Sequence, residues 1–140
     1  MNPFGFQIWV VMGAISGFLS VTLGAFGAHA LKNSLTPEAL AIYQTGNSYQ
    51  VTHSLALILY GVWMTQLGPA GVMQAGQGAS LVPIAMSIGI LVFSGSLYAL
   101  AITDIRWLGA ITPIGGTAFL IGWIAWAWSA FRVYQSGQGS

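Results

Sequence analysis

Two histidines are the residues of this 140-residue chain best suited to chemistry. His29 lies in "GAFGAHAL" (24–31) and His53 in "YQVTHSLALIL" (49–59). Imidazole titrates near neutrality, ligates several transition metals, and both donates and accepts hydrogen bonds. Gln50 precedes His53 by three residues and shares its helical face. Lys32, Glu38, Asp104 and Arg106 carry four of the five formal charges, and Arg132 carries the fifth.

Three chemistries are open to this set. In the first, His29 and His53 hydrogen-bond backbone carbonyls or Gln50 and hold the loops in place. In the second, they ligate a metal or a haem iron. A structural zinc site wants four ligands, and the chain has no cysteine and only two carboxylates to complete one. In the third, the histidines with Asp104 and Arg106 bind a polar solute, a quinone or a lipid headgroup, or relay protons. There is no Gly-x-Ser-x-Gly elbow, His-Glu-x-x-His, phosphate loop or dinucleotide fingerprint. A non-enzyme without a cofactor is therefore the expectation.

The elements that position these residues follow from composition. Only 4% of residues are charged and 56% are hydrophobic, so a water-exposed surface would be starved of charge. Lipid is the expected solvent. Four apolar spans are predicted, at about 6–31, 49–67, 81–102 and 111–131. Glycine-rich "GPAGVMQAGQGAS" (68–80) separates the second from the third. Backbone polar groups in lipid must pair internally, and no period-2 alternation is present, so the spans are helices. The fold class is an all-α integral membrane protein, an antiparallel bundle of four transmembrane helices. "AHA" (28–30) mimics a signal-peptidase site, but the apolar run before it is too long for an h-region and lacks a basic start.

In "LTPEALAIYQTG" (35–46), Thr36 suits an N-cap, Pro37 the first turn, and Glu38 the positive helix end. This predicts a short interfacial helix over about 37–45, closed by Gly46. Residues 135–140 read as a disordered tail. Pro113 reads as a proline near the start of the last helix. Trp9, Trp63, Trp128 and Tyr134 fall near one interface, and Tyr43, Tyr49 and Trp107 near the other. Antiparallel spans would then bring His29 and His53 to similar depth. They would share one polar membrane face with Asp104 and Arg106, while Arg132 stands at the other face.

Helices associate in lipid through small residues that let backbones approach. The first span carries Gly13, Gly17, Ser20, Gly24 and Gly27 on one face, and the fourth carries Gly115, Ala118, Gly122, Ala125 and Ser129. These stripes predict close packing, with the first helix on the fourth as one arrangement. Surface left over would serve self-association or a partner helix. A net charge of +1 offers no basic patch for nucleic acid.

"GAFGAHAL" (24–31), "YQVTHSLALIL" (49–59), "FSGSLYALAI" (93–102) and "RWLGAITPIGGTAFLIGW" (106–123) occur in that order. Together they resemble the domain-of-unknown-function 423 family. That family comprises small inner-membrane proteins, including YgdD-like bacterial proteins and the animal transmembrane protein 256 group. The resemblance spans about residues 15–126. It implies four membrane spans in a bacterial inner membrane, with cytoplasmic termini, and supplies no reaction. His29, Gln50, His53 and Arg106 fall within its motifs with no role attached. The functional expectation is a non-enzymatic interaction or assembly module in contact with membrane lipid. A binder or transporter of a small solute, quinone or lipid headgroup is the alternative, and a histidine-ligated metal or haem protein the third.

Overall fold

The computed structural model describes residues 3–138. After a 3-10 turn at Pro3–Phe6, four helices are long and apolar enough to cross a membrane: Gln7–Leu31, Pro37–Ala75, Gly78–Thr103 and Leu108–Gly137. They are termed here the first to fourth helices.

The second helix is longer than the span predicted for it. It opens where the interfacial helix was expected to start: the Thr36 side chain accepts from Ala39 N at 3.2 Å, and Pro37 occupies the first turn. It then runs through Gly46 without a break. The separate interfacial helix expected over 37–45 is therefore the opening of the second helix itself. Gly46 does not terminate it, because this residue is a contact point. A Cβ there would lie 3.2 Å from Leu97 Cβ and 3.3 Å from the Ser94 carbonyl oxygen of the third helix. The bend comes instead at Gly68 (φ 65°, ψ −177°), immediately before Pro69. Proline disfavours a helical conformation in the residue before it, and glycine tolerates the left-handed φ. Residues 69–75 are helical again, so the glycine-rich connection shrinks to a turn at Gly76 and Gln77.

Two helices contain a widened π-turn, at Gly27–Leu31 in the first and Ile90–Ser94 in the third. Most helical serines and threonines donate to a carbonyl one turn back, as Thr22, Thr52, Ser87 and Ser129 do. Ser94, which ends the second of these widened turns, is an exception: its buried hydroxyl has no partner among the described residues. The third helix ends at Asp104, in the left-handed conformation at φ 55°. The fourth continues to Gly137, into the segment expected to be disordered. Ser136 Oγ donates to the Val133 carbonyl at 2.7 Å and supports that last turn. Residues 139 and 140 lie outside the described residues.

The core joins the second, third and fourth helices, through Leu57, Tyr60, Met64, Val82, Met86 and Phe119. The first helix packs along the second, and the third along the fourth. The small-residue stripes therefore serve other partners than a first-to-fourth contact. Gly13 faces Ile58 and the Ser54 carbonyl, Gly17 faces Ser54, Gly24 faces Asn47, and Gly27 faces the Tyr43 ring. On the fourth helix, Gly115 lies against the backbone of Phe93 and Gly122 against Met86. The stripe chooses a face, and the facing shape chooses the partner. The second helix offers Tyr43, Asn47 and Ser54 at matching spacing to the first.

Candidate functional site

His29 and His53 do not share a site. Gly17 faces Ser54, the residue after His53. His29 stands twelve residues beyond Gly17, roughly 18 Å along the helix at about 1.5 Å per residue. Expecting equal depth assumed that the second helix begins near Tyr49, but it begins three turns earlier. His29 is exposed on the π-turn that ends the first helix. Asp104 and Arg106 are exposed in the turn between the third and fourth helices. Among the described residues neither hydrogen-bonds to Gln50 or His53.

Gln50 and His53 are both buried, at 5% and 4% exposure, but they point into different contacts. Gln50 belongs to a polar seam that joins the first three helices. Its Nε2 donates to the Ser16 carbonyl at 3.1 Å, and its Oε1 accepts from Tyr98 Oη at 2.8 Å. Asn47 Nδ2 donates to the Ser20 carbonyl at 2.7 Å and to Tyr98 Oη at 3.2 Å. Tyr43 Oη donates to the Leu23 carbonyl at 2.8 Å, and Ser54 Oγ reaches Ser16 Oγ at 2.7 Å. Small residues on the first helix leave its carbonyls open, so a second donor can reach each one. This seam holds helices together with satisfied polar groups.

His53 faces the fourth helix. Its Nδ1 lies 2.8 Å from the Tyr49 carbonyl, and Trp123 Nε1 lies 3.2 Å from its Nε2. A carbonyl only accepts and an indole N–H only donates. The imidazole is therefore neutral, with its proton on Nδ1 and Nε2 accepting. The ring stacks on Phe119 with centroids 3.4 Å apart and planes 13° apart. Tyr49 and Phe93 pack beside it, their centroids 4.4 Å apart. A groove of about 460 Å³ opens here among the second, third and fourth helices, walled by Tyr49, Phe93, Phe119 and Trp123 and backed by His53.

The fourth helix starts at Leu108, so Pro113 sits beyond its first turn and lines this groove. Without an N–H it leaves the Gly109 carbonyl lacking its usual helical donor. Both nitrogens of His53 are engaged, and no group of three or more His, Cys, Asp or Glu residues is present among the described residues. The arrangement does not suit the metal or haem reading.

Asn47, Tyr98, Phe119 and Trp123 were missing from the sequence-predicted set. Part of this was legible. Tyr43, Asn47, Gln50 and Ser54 are spaced 4, 3 and 4, a polar stripe on one helical face. Trp123 carried no comparable signal, being one of six tryptophans.

Comparison with known proteins agrees with this membrane architecture. The model of the family described as "Protein of unknown function (DUF423)" matches residues 23–116. The UPF0382 membrane protein YwdK of Bacillus subtilis is 42% identical over 119 residues, covering 84% of this chain and 91% of that protein. A UPF0382 membrane protein of Haemophilus influenzae is 41% identical over 124 residues, covering 89% and 94%. The UPF0382 inner membrane protein YgdD of Escherichia coli is 37% identical over 131 residues, covering 94% and 95%. No solved structure matches the chain. With four helices long enough to span a bilayer and relatives matched over nearly their whole length, the chain is an integral membrane protein that belongs to the DUF423 family.

Proposed function

We propose that this protein is a non-enzymatic membrane protein that binds a flat, weakly polar ring, such as a quinone headgroup, in the groove beside His53. The observation that carries this reading is the wall of stacked aromatic rings around a neutral, fully hydrogen-bonded imidazole, open toward the lipid side of two helices. Ligand sites are typically apolar concavities with a few convergent polar groups. Here those groups are the Trp123 indole N–H and the imidazole edge. A ligand carbonyl can take the indole donor that His53 otherwise holds.

The test is titration of a short-tailed quinone into the protein in lipid nanodiscs, followed by tryptophan fluorescence. Saturable quenching at one equivalent is expected, with loss of saturation in Thr117→Phe, which fills the exposed mouth of the groove. Unsaturable quenching in the wild type, or identical titrations for the two proteins, would refute the reading.

The assembly reading keeps one observation of its own. The glycine faces from which it was drawn are occupied within the chain. However, Ser16, Gln50 and Ser87 line a second groove, of about 330 Å³, beside apolar Met12, Leu19 and Leu91. The half-buried serines at this groove suit a partner helix. A dimer or a co-purifying membrane protein in mild detergent, lost on Ser87→Leu, supports this second reading; a strictly monomeric, partner-free protein counts against it.

A further inference from the structure

We infer a second ligand site, at the end of the molecule opposite Asp104 and Arg106: a seat for one anionic phospholipid, with Arg132 on its phosphate. Arg132 is the only formally charged side chain at this end, and no hydrogen bond or ion pair engages its guanidinium among the described residues. That guanidinium is exposed yet rests against a neighbouring turn. It lies on the backbone of Gly76, where a Cβ would overlap Arg132 Nη1. Gly76 adopts φ 63° in the turn that closes the second helix, a conformation suited to glycine. The turn thus presents a bare backbone surface, and an arginine with unused donors rests on it.

A groove of about 350 Å³ begins at this point. Arg132, Gln77 and Trp128 stand at its mouth, and Leu81, Ile121 and Ile124 form apolar walls. From Arg132 to Ile121 is eleven residues of helix, roughly 16 Å at about 1.5 Å per residue. One leaflet of hydrocarbon is about half of the ~30 Å bilayer core. The groove therefore has a cationic, hydrogen-bonding head and an apolar length of one leaflet, the two halves of an acidic lipid. Arginine pairs bidentately with phosphate oxygens, and Trp at a membrane interface is at home beside headgroups. A free phosphate would use the head and leave the apolar walls unused. This site shares no residue with the His53 groove, so the two proposals fail independently.

The experiment is native mass spectrometry of the full chain released from nanodiscs holding equal phosphatidylglycerol and phosphatidylethanolamine. The wild type is expected to retain one phosphatidylglycerol, in about fivefold preference over phosphatidylethanolamine, the factor a single cation gives near a charged surface. Arg132→Gln should abolish the preference, and Arg132→Lys should keep part of it. Ile121→Trp, a lipid-facing change that fills the groove and keeps the cation, should also lose the bound lipid. Millimolar inorganic phosphate should not displace the lipid. Equal retention of both lipids by the wild type, an unchanged preference in Arg132→Gln, or displacement by inorganic phosphate would each overturn the assignment.

Discussion

The hydrogen bond between Trp123 and His53 joins the second and fourth helices across the groove, and its worth can be isolated. In His53→Phe an aromatic ring still stacks on Phe119, but the acceptor for Trp123 Nε1 is gone. The Tyr49 carbonyl loses only a side-chain donor, since it is also placed to accept a backbone bond within its own helix. The expected cost is that of one interhelical hydrogen bond in a membrane protein, about 0.6 kcal/mol and at most about 1.7. His53→Ala adds loss of the ring contact, about 0.5–1.5 kcal/mol, and an unfilled space, for a total of about 2–4 kcal/mol.

The assay is reversible unfolding in mixed micelles titrated with a denaturing detergent, on a cycle of His53→Phe, Trp123→Phe and the double variant. The size change at position 53 cancels in that cycle. The coupling should equal the hydrogen-bond worth, about 0.6–1.7 kcal/mol. A coupling below about 0.3 kcal/mol, within ordinary additivity, would refute the bond as an interhelical tie.

Two further outcomes follow from the packing. Gly13→Ala should destabilise by about 1–3 kcal/mol, because the new Cβ meets the Ser54 carbonyl oxygen, which is backbone and cannot rotate away. Gly17→Ala should be neutral or stabilising by up to about 1 kcal/mol, since its Cβ finds only Ser54 Cβ at 4.0 Å and alanine is the better helix former; the same unfolding assay compares the two. Purified protein should carry neither haem absorbance nor stoichiometric transition metal by elemental analysis, because the histidines stand far apart and His53 has no free nitrogen.

The sequence carried the number of spans and the faces on which small residues fall, since both depend on local composition and period. It also carried a helix start at Thr36 and Pro37, because these act on the turn beside them, but not that this helix continues through Gly46 into the second span. It did not carry partner or register. Gly13 and Gly115 look alike as small residues, yet one receives Ile58 and the other the Phe93 backbone. That choice is made by shapes distant in sequence. Pairing His29 with His53 failed for the same reason: composition marks where an apolar run begins, whereas the polar opening of the second helix, around Asn47 and Gln50, is helical through contacts with its neighbours. The groove residues Phe119 and Trp123 depend on how the fourth helix is rotated, which no local pattern sets.

The seam between the first two helices has a consequence for how they find each other. Its acceptors are the carbonyls of Ser16, Ser20 and Leu23, and its donors are Gln50, Asn47 and Tyr43. Every turn of the first helix offers an equivalent carbonyl, so sliding one helix by a turn would re-form nearly the same ladder. Hydrogen bonding alone is thus close to degenerate between neighbouring alignments. The degeneracy is broken by volume: the Tyr43 ring needs the gap at Gly27, and Ile58 needs the gap at Gly13, near opposite ends of the contact. The two glycines act as end stops on a track along which the polar groups would otherwise let the helices slip.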